Sequence, residues 1–111
     1  MDNDQKTEHA IQRAGMTAPR ITPDQVNDLM ARVHIDTTVL PGTTTTIGSA
    51  NLVSKDGKRT FCLAIGHSAC VSPENFSASI GADIATSKAT QMAKDKLWEL
   101  LGFGLFQGMD K

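Results

Sequence analysis

The chain has 111 residues and balances 11 Lys/Arg against 12 Asp/Glu, a net charge of −1. That length suits one domain, and the balance lacks the positive excess that holds long DNA or an anionic membrane. No apolar run approaches the ~18 residues of a membrane span, and Met1-Asp2-Asn3-Asp4 is acidic where a signal peptide is basic, so a soluble intracellular protein is expected.

Ile, Leu, Val and Phe together make 24 of the 111 residues, close to the level of roughly 20% at which chains remain disordered. The shortage is concentrated in residues 1–20, where Ile11 is the only member of this set and, beyond Met1, Met16 the only other large apolar side chain. So few anchors do not offset the entropy of ordering a segment. Residues 1–20 are therefore expected to be a flexible arm, and residues 21–111 a single small α+β domain.

The first predicted helix starts at Thr22. Thr22-Pro23-Asp24-Gln25 supplies an N-cap hydroxyl, a Pro at the first helical position and a Gln where a capping box needs it. Val26, Leu29, Met30 and Val33 follow at i, i+3, i+4 and i+7, which carries the helix to about Arg32–His34. A loop around Leu40-Pro41-Gly42 comes next, and Thr43–Thr46 opens a strand. Asp56-Gly57 is a hairpin signal of the type I′ kind. With these two as the loop, Lys55 faces Lys58, Leu52 faces Phe61, Ala50 faces Leu63 and Gly48 faces Ile65. One face is then apolar throughout, and Cys62 lies on the other beside Asn51.

Ser72-Pro73-Glu74-Asn75 repeats the cap pattern, and a long helix is expected from about Ser77 to Leu101. Its apolar residues fall on two sides: Phe76, Ile80, Ile84 and Trp98 on one, Ala85, Ala89, Met92, Ala93 and Leu100 on the other. A hairpin and one short helix can hardly cover both, and a two-stranded sheet is marginal by itself. A homo-oligomer is expected, with Met92, Ala93, Leu100, Phe103 and Phe106 at its interface.

The stretch Gly66-His67-Ser68-Ala69-Cys70-Val71-Ser72-Pro73-Glu74-Asn75-Phe76, with Ile80-Gly81, Lys96-Leu97-Trp98-Glu99-Leu100 and Gly102-Phe103, resembles a family of small tailed-phage proteins of unknown function. The resemblance runs from about Thr22 to Phe106. It departs from the family pattern at His67 (usually Glu), Ser72 (usually Asp) and Phe103 (usually Tyr), and the helix between Ala85 and Trp98 is about one turn longer. It implies a phage or prophage origin and the bacterial host cytoplasm, and it brings no catalytic residues.

Read for chemistry, Gly66–Phe76 is a strand-to-helix corner. Its structural reading is a helix cap with Ala69 and Cys70 packed beneath it. Its functional reading is an anion site, in which Ser68, Ser72 and free backbone N–H groups hold a phosphate, His67 adds a proton-dependent contact and Lys58 and Arg59 supply charge. Cys62 and Cys70 are expected to be small buried thiols, reduced and unbridged. The histidines, His9, His34 and His67, do not stand with cysteines at zinc-ligand spacing. Neither a catalytic set, a metal nor a cofactor is expected. The function expected is that of a non-enzymatic accessory protein that binds and inhibits a host or defence protein. The alternatives are a sponge for a small phosphate-bearing nucleotide and a nucleic-acid-binding accessory protein, the latter disfavoured by the balanced charge.

Overall fold

The computed structural model describes residues 2–15 and 18–110; Met16 lies outside them. In chain order it contains α1 (Asn3–Arg13), α2 (Pro23–Met30), β1 (Val33–Val39), β2 (Thr45–Val53), β3 (Thr60–Ala69), one 3-10 turn at Pro73–Asn75, and α3 (Ala78–Met109). The strands form one antiparallel sheet in the order β1-β2-β3. α3 packs against all three, giving the expected α+β architecture.

The expected arm contains a helix. Asp2 accepts the Gln5 N–H at 2.8 Å, and the Gln5 side chain returns to the Asp2 N–H, a reciprocal cap. This pattern is legible in Asp2-x-x-Gln5, but low hydrophobicity outweighs it in a reading based on composition. α2 has the predicted Thr22–Gln25 capping box yet ends at Met30, two to four residues short of the expected end at Arg32–His34. Val33 and His34 instead open β1, a strand absent from the sequence reading. The β-branched run from Val33 to Val39 suits extended backbone, and β1 completes the sheet by pairing Ile35 with Ala50 and Val33 with Leu52.

At the tip of the β2–β3 hairpin the predicted register is present: Leu52 faces Phe61, and Asn51 faces Cys62. The turn itself differs. Gly57 has φ +76°, but Asp56 does not take positive φ. The Ser54 carbonyl accepts the Gly57 N–H at 2.9 Å, and the Ser54 N–H reaches the Arg59 carbonyl, so Lys55–Lys58 form a four-residue loop. Farther in, a bulge between Ala50 and Asn51 shifts the ladder by one residue, so that Ala50 faces Ala64 and Gly48 faces Gly66. Leu63 stays buried, Gly66 and Ser68 turn toward α3, and Ile65 is 54% exposed.

The reason lies in how close α3 comes. A Cβ at Gly66 would stand 2.7 Å from the Ala89 backbone nitrogen, and one at Gly48 3.0 Å from the Ala85 carbonyl oxygen. An isoleucine in either place would force the helix away. α3 meets the sheet along Gly81, Ala85, Ala89, Ala93 and Leu97, one residue every fourth position, which forms one ridge of a helix. The core of Val26, Ala50, Leu63, Ala89, Ala93 and Leu97 lies between this ridge, the sheet and α2.

α3 continues through Gly102 and Gly104 to Met109, eight residues past the predicted end at Leu101. At about 1.5 Å per residue its 32 residues run close to 50 Å, and the molecule is 56 Å in its longest dimension. Leu101 is the last residue of the helix packed on the core, so its final two turns project past the sheet.

Candidate functional site

The corner between β3 and α3 puts its polar groups to structural use. Ser68, 9% exposed, donates its hydroxyl to the Gly81 carbonyl at 2.9 Å and so ties the strand to the first turn of the helix. Thr46, opposite Ser68 in the ladder, is buried, and among the described residues its hydroxyl has no hydrogen-bond partner. Thr44 donates to the Cys70 carbonyl. Ser72 precedes the 3-10 turn, but its side chain makes no cap bond; the cap of α3 is Ser77, whose hydroxyl accepts the Ile80 N–H at 3.3 Å. The expected capping role therefore falls to Ser77, because Pro73–Asn75 closes after a single turn and the chain re-extends at Phe76.

Beneath the corner is a cavity of about 170 Å³ bounded by Thr44, Ser68, Cys70, Phe76, Ile80 and Ile84, among other residues, and among the described residues no charged side chain lines it. His67 is exposed on β3 opposite Ile47, and its carbonyl, rather than its ring, accepts from the Lys88 ammonium at 3.0 Å. Lys58 and Arg59 lie in the hairpin tip before β3, whereas Ser72 follows its far end. Ten strand residues at about 3.3 Å each separate them by about 30 Å. The structure thus keeps Ser68 and Ser72 near the corner but does not bring Lys58 and Arg59 to them.

At the tip, Asp56 accepts the Lys58 N–H at 2.9 Å and a hydrogen bond from the Ser54 hydroxyl. The Ser54 bond, followed by that from the Lys58 N–H, holds its carboxyl below the usual carboxylate range. Cys70 is half-buried, its thiol directed to the Ser72 carbonyl at 3.1 Å; Cys62 is exposed rather than buried, because it lies on the uncovered side of β3. Both thiols are unbridged. Among the described residues no three His, Cys, Asp or Glu side chains come together in a way that could hold a metal ion.

The expected interface residues divide. Met92, Leu100, Phe103 and Phe106 are 40–62% exposed, and the two phenylalanine rings stack at 6.4 Å. Ala93 is fully buried in the ridge against the sheet and offers no surface to another chain. Reasoning from the sequence missed Met109, 66% exposed at the end of the helix. It also missed a polar contact between α1 and α3: the Trp98 indole N–H donates to Asp4 at 3.3 Å, while Lys94 reaches Asp2 and Asp4 at 3.5 and 3.4 Å.

Sheet, helix ridge and corner together define a small α+β domain whose central sequence motif builds the joint between its sheet and its long helix. The chain belongs to the Phage protein (N4 Gp49/phage Sf6 gene 66) family, whose model matches residues 21–109. No curated protein and no solved structure matches it. Among the described residues no helix is long and apolar enough to cross a membrane.

Proposed function

We propose that this phage protein is a non-enzymatic accessory protein that assembles with copies of itself and binds and inhibits a host or defence protein. One observation carries the proposal: the helical run Leu100–Met109 has no charged residue, and Leu100, Phe103, Phe106 and Met109 are all 40% exposed or more. A helix apolar on every side is normally covered. Gly102, Gly104 and Gly108 each weaken it by about 1 kcal/mol relative to Ala, and among the described residues a Cβ placed on any of them would meet no other part of the fold within 4 Å. Contact with other chains supplies what this segment lacks. The inhibitory role follows from membership of a phage family, by analogy with what small accessory proteins do in an infected cell.

Sedimentation tests the assembly. The wild type is expected to run as a multiple of 11.9 kDa, and Phe103→Asp with Phe106→Asp as a single chain with an unchanged far-UV spectrum. A wild type that sediments as a single chain at micromolar concentration overturns that part. For the inhibitory part, a host protein retained by the wild type is purified and its activity measured with and without this protein; unchanged activity overturns it.

A further inference from the structure

We infer that the face formed by Trp98, Lys94, Ile21 and Arg20 is a docking site for an acidic amphipathic helix of a partner protein, and that α1 occupies this site in cis. The inference deepens the protein-binding reading by naming the partner's chemistry. Three observations meet here. The family match begins at Ile21, so α1 lies outside the matched residues, with Arg20 at their edge, while Ile21, Lys94 and Trp98 lie within them. The contacts α1 makes are those of an acidic ligand on a basic, aromatic face: Asp4 accepts from the Trp98 indole and pairs with Lys94, and Glu8 pairs with Arg20. Asp4, Glu8 and Ile11 stand at i, i+4 and i+7, one stripe of the helix, which is the spacing by which helices are read in grooves.

The fit is loose. Asp4, Ile11, Ile21, Pro23 and Trp98 leave about 150 Å³ between α1 and the domain. Glu8, a carboxylate, is the one residue of α1 described as buried. An 11-residue helix is marginal alone, and partly exposed ion pairs hold weakly. A longer helix with the same stripe of acids and a larger apolar side chain would fill the gap and displace α1.

Trp98 is the chain's single tryptophan, and there is no tyrosine, so intrinsic fluorescence of this 111-residue chain reports this face alone. The probe is a labelled peptide of residues 2–15, followed by anisotropy. In the Asp4→Asn, Glu8→Gln variant, Trp98 emission is expected to shift red with greater acrylamide quenching. The peptide is expected to bind that variant at least tenfold more tightly than the wild type. Adding Lys94→Glu is expected to abolish binding, and 1 M salt to shift the emission of the wild type in the same direction. Equal peptide binding to wild type and variant, or none to either, overturns the inference, as does an emission spectrum that neither substitution nor salt moves. These results are independent of sedimentation through Phe103 and Phe106, so this inference and the assembly reading fail separately.

Discussion

Gly66 of β3 and Ala89 of α3 meet without room for a methyl group, since a Cβ on Gly66 would stand 2.7 Å from the Ala89 backbone nitrogen. The atom in the way is backbone, which cannot swing aside, so Gly66→Ala must push the helix from the sheet. Overpacking of this kind costs about 1–3 kcal/mol, and in a domain of this size each kcal/mol lowers Tm by roughly 4–8 °C. Gly102→Ala is the control: nothing lies within 4 Å, and alanine is the better helix former by about 1 kcal/mol. Thermal melts are expected to move in opposite directions for the two variants. Equal or rising Tm for Gly66→Ala refutes the close approach.

Thr46 makes the opposite case. Its buried hydroxyl has no partner among the described residues, and an unsatisfied buried group costs about 1–3 kcal/mol. Thr46→Val keeps the β-branched shape and removes that group. Chemical denaturation is expected to show a gain of about 1 kcal/mol, with the slope unchanged. A loss of stability shows instead that the hydroxyl has a bond partner in solution.

Asp56 gives the hairpin tip a pH dependence of known sign. Its carboxyl is held below the usual range, first by the Ser54 hydroxyl and then by the Lys58 N–H. A group depressed on folding contributes stability above its unfolded value, and that contribution is lost as pH falls through the folded value. The tip is therefore expected to hold its geometry through the ordinary Asp titration range and to loosen only as pH falls through the lowered folded value. The Lys58 amide shift, followed by NMR, should titrate with a midpoint below the ordinary Asp value. In Asp56→Asn the titration should vanish; persistence of the same midpoint assigns it to another group.

The two thiols should differ in reactivity, because Cys62 is exposed while Cys70 is half-buried against the Ser72 carbonyl. Alkylation of the native protein followed by mass spectrometry is expected to modify Cys62 first and Cys70 markedly more slowly. Faster modification of Cys70 shows that the corner is open in solution.

The elements legible in the sequence are those whose signals are local. Thr22 and Gln25 cap α2 because both members of that box lie within one turn. Leu52 meets Phe61 because the tip residues set the register from inside the hairpin. Asp2 and Gln5 carry an equally local signal for α1, but an average over residues 1–20 conceals it. The stretch Gly66–Phe76 is readable as a corner, although not which hydroxyl caps the helix that follows: Ser72 and Ser77 both have the right side chain, and only the path of the chain after Pro73 selects Ser77.

What the tertiary structure alone decided depends on the distance between α3 and the sheet. Ile65 matches the alternation of an apolar face, yet it turns outward while Gly66 turns in, because the helix comes too near for any side chain at that point. Ala93 reads equally well as surface or core by spacing, and it is buried because the ridge from Gly81 to Leu97 follows every fourth residue across the sheet. The pairing of Asp4 with Trp98 joins residues 94 positions apart, which no local pattern encodes. Patterns along the chain specify which residues can be buried, but the close approach of one backbone to another determines which are.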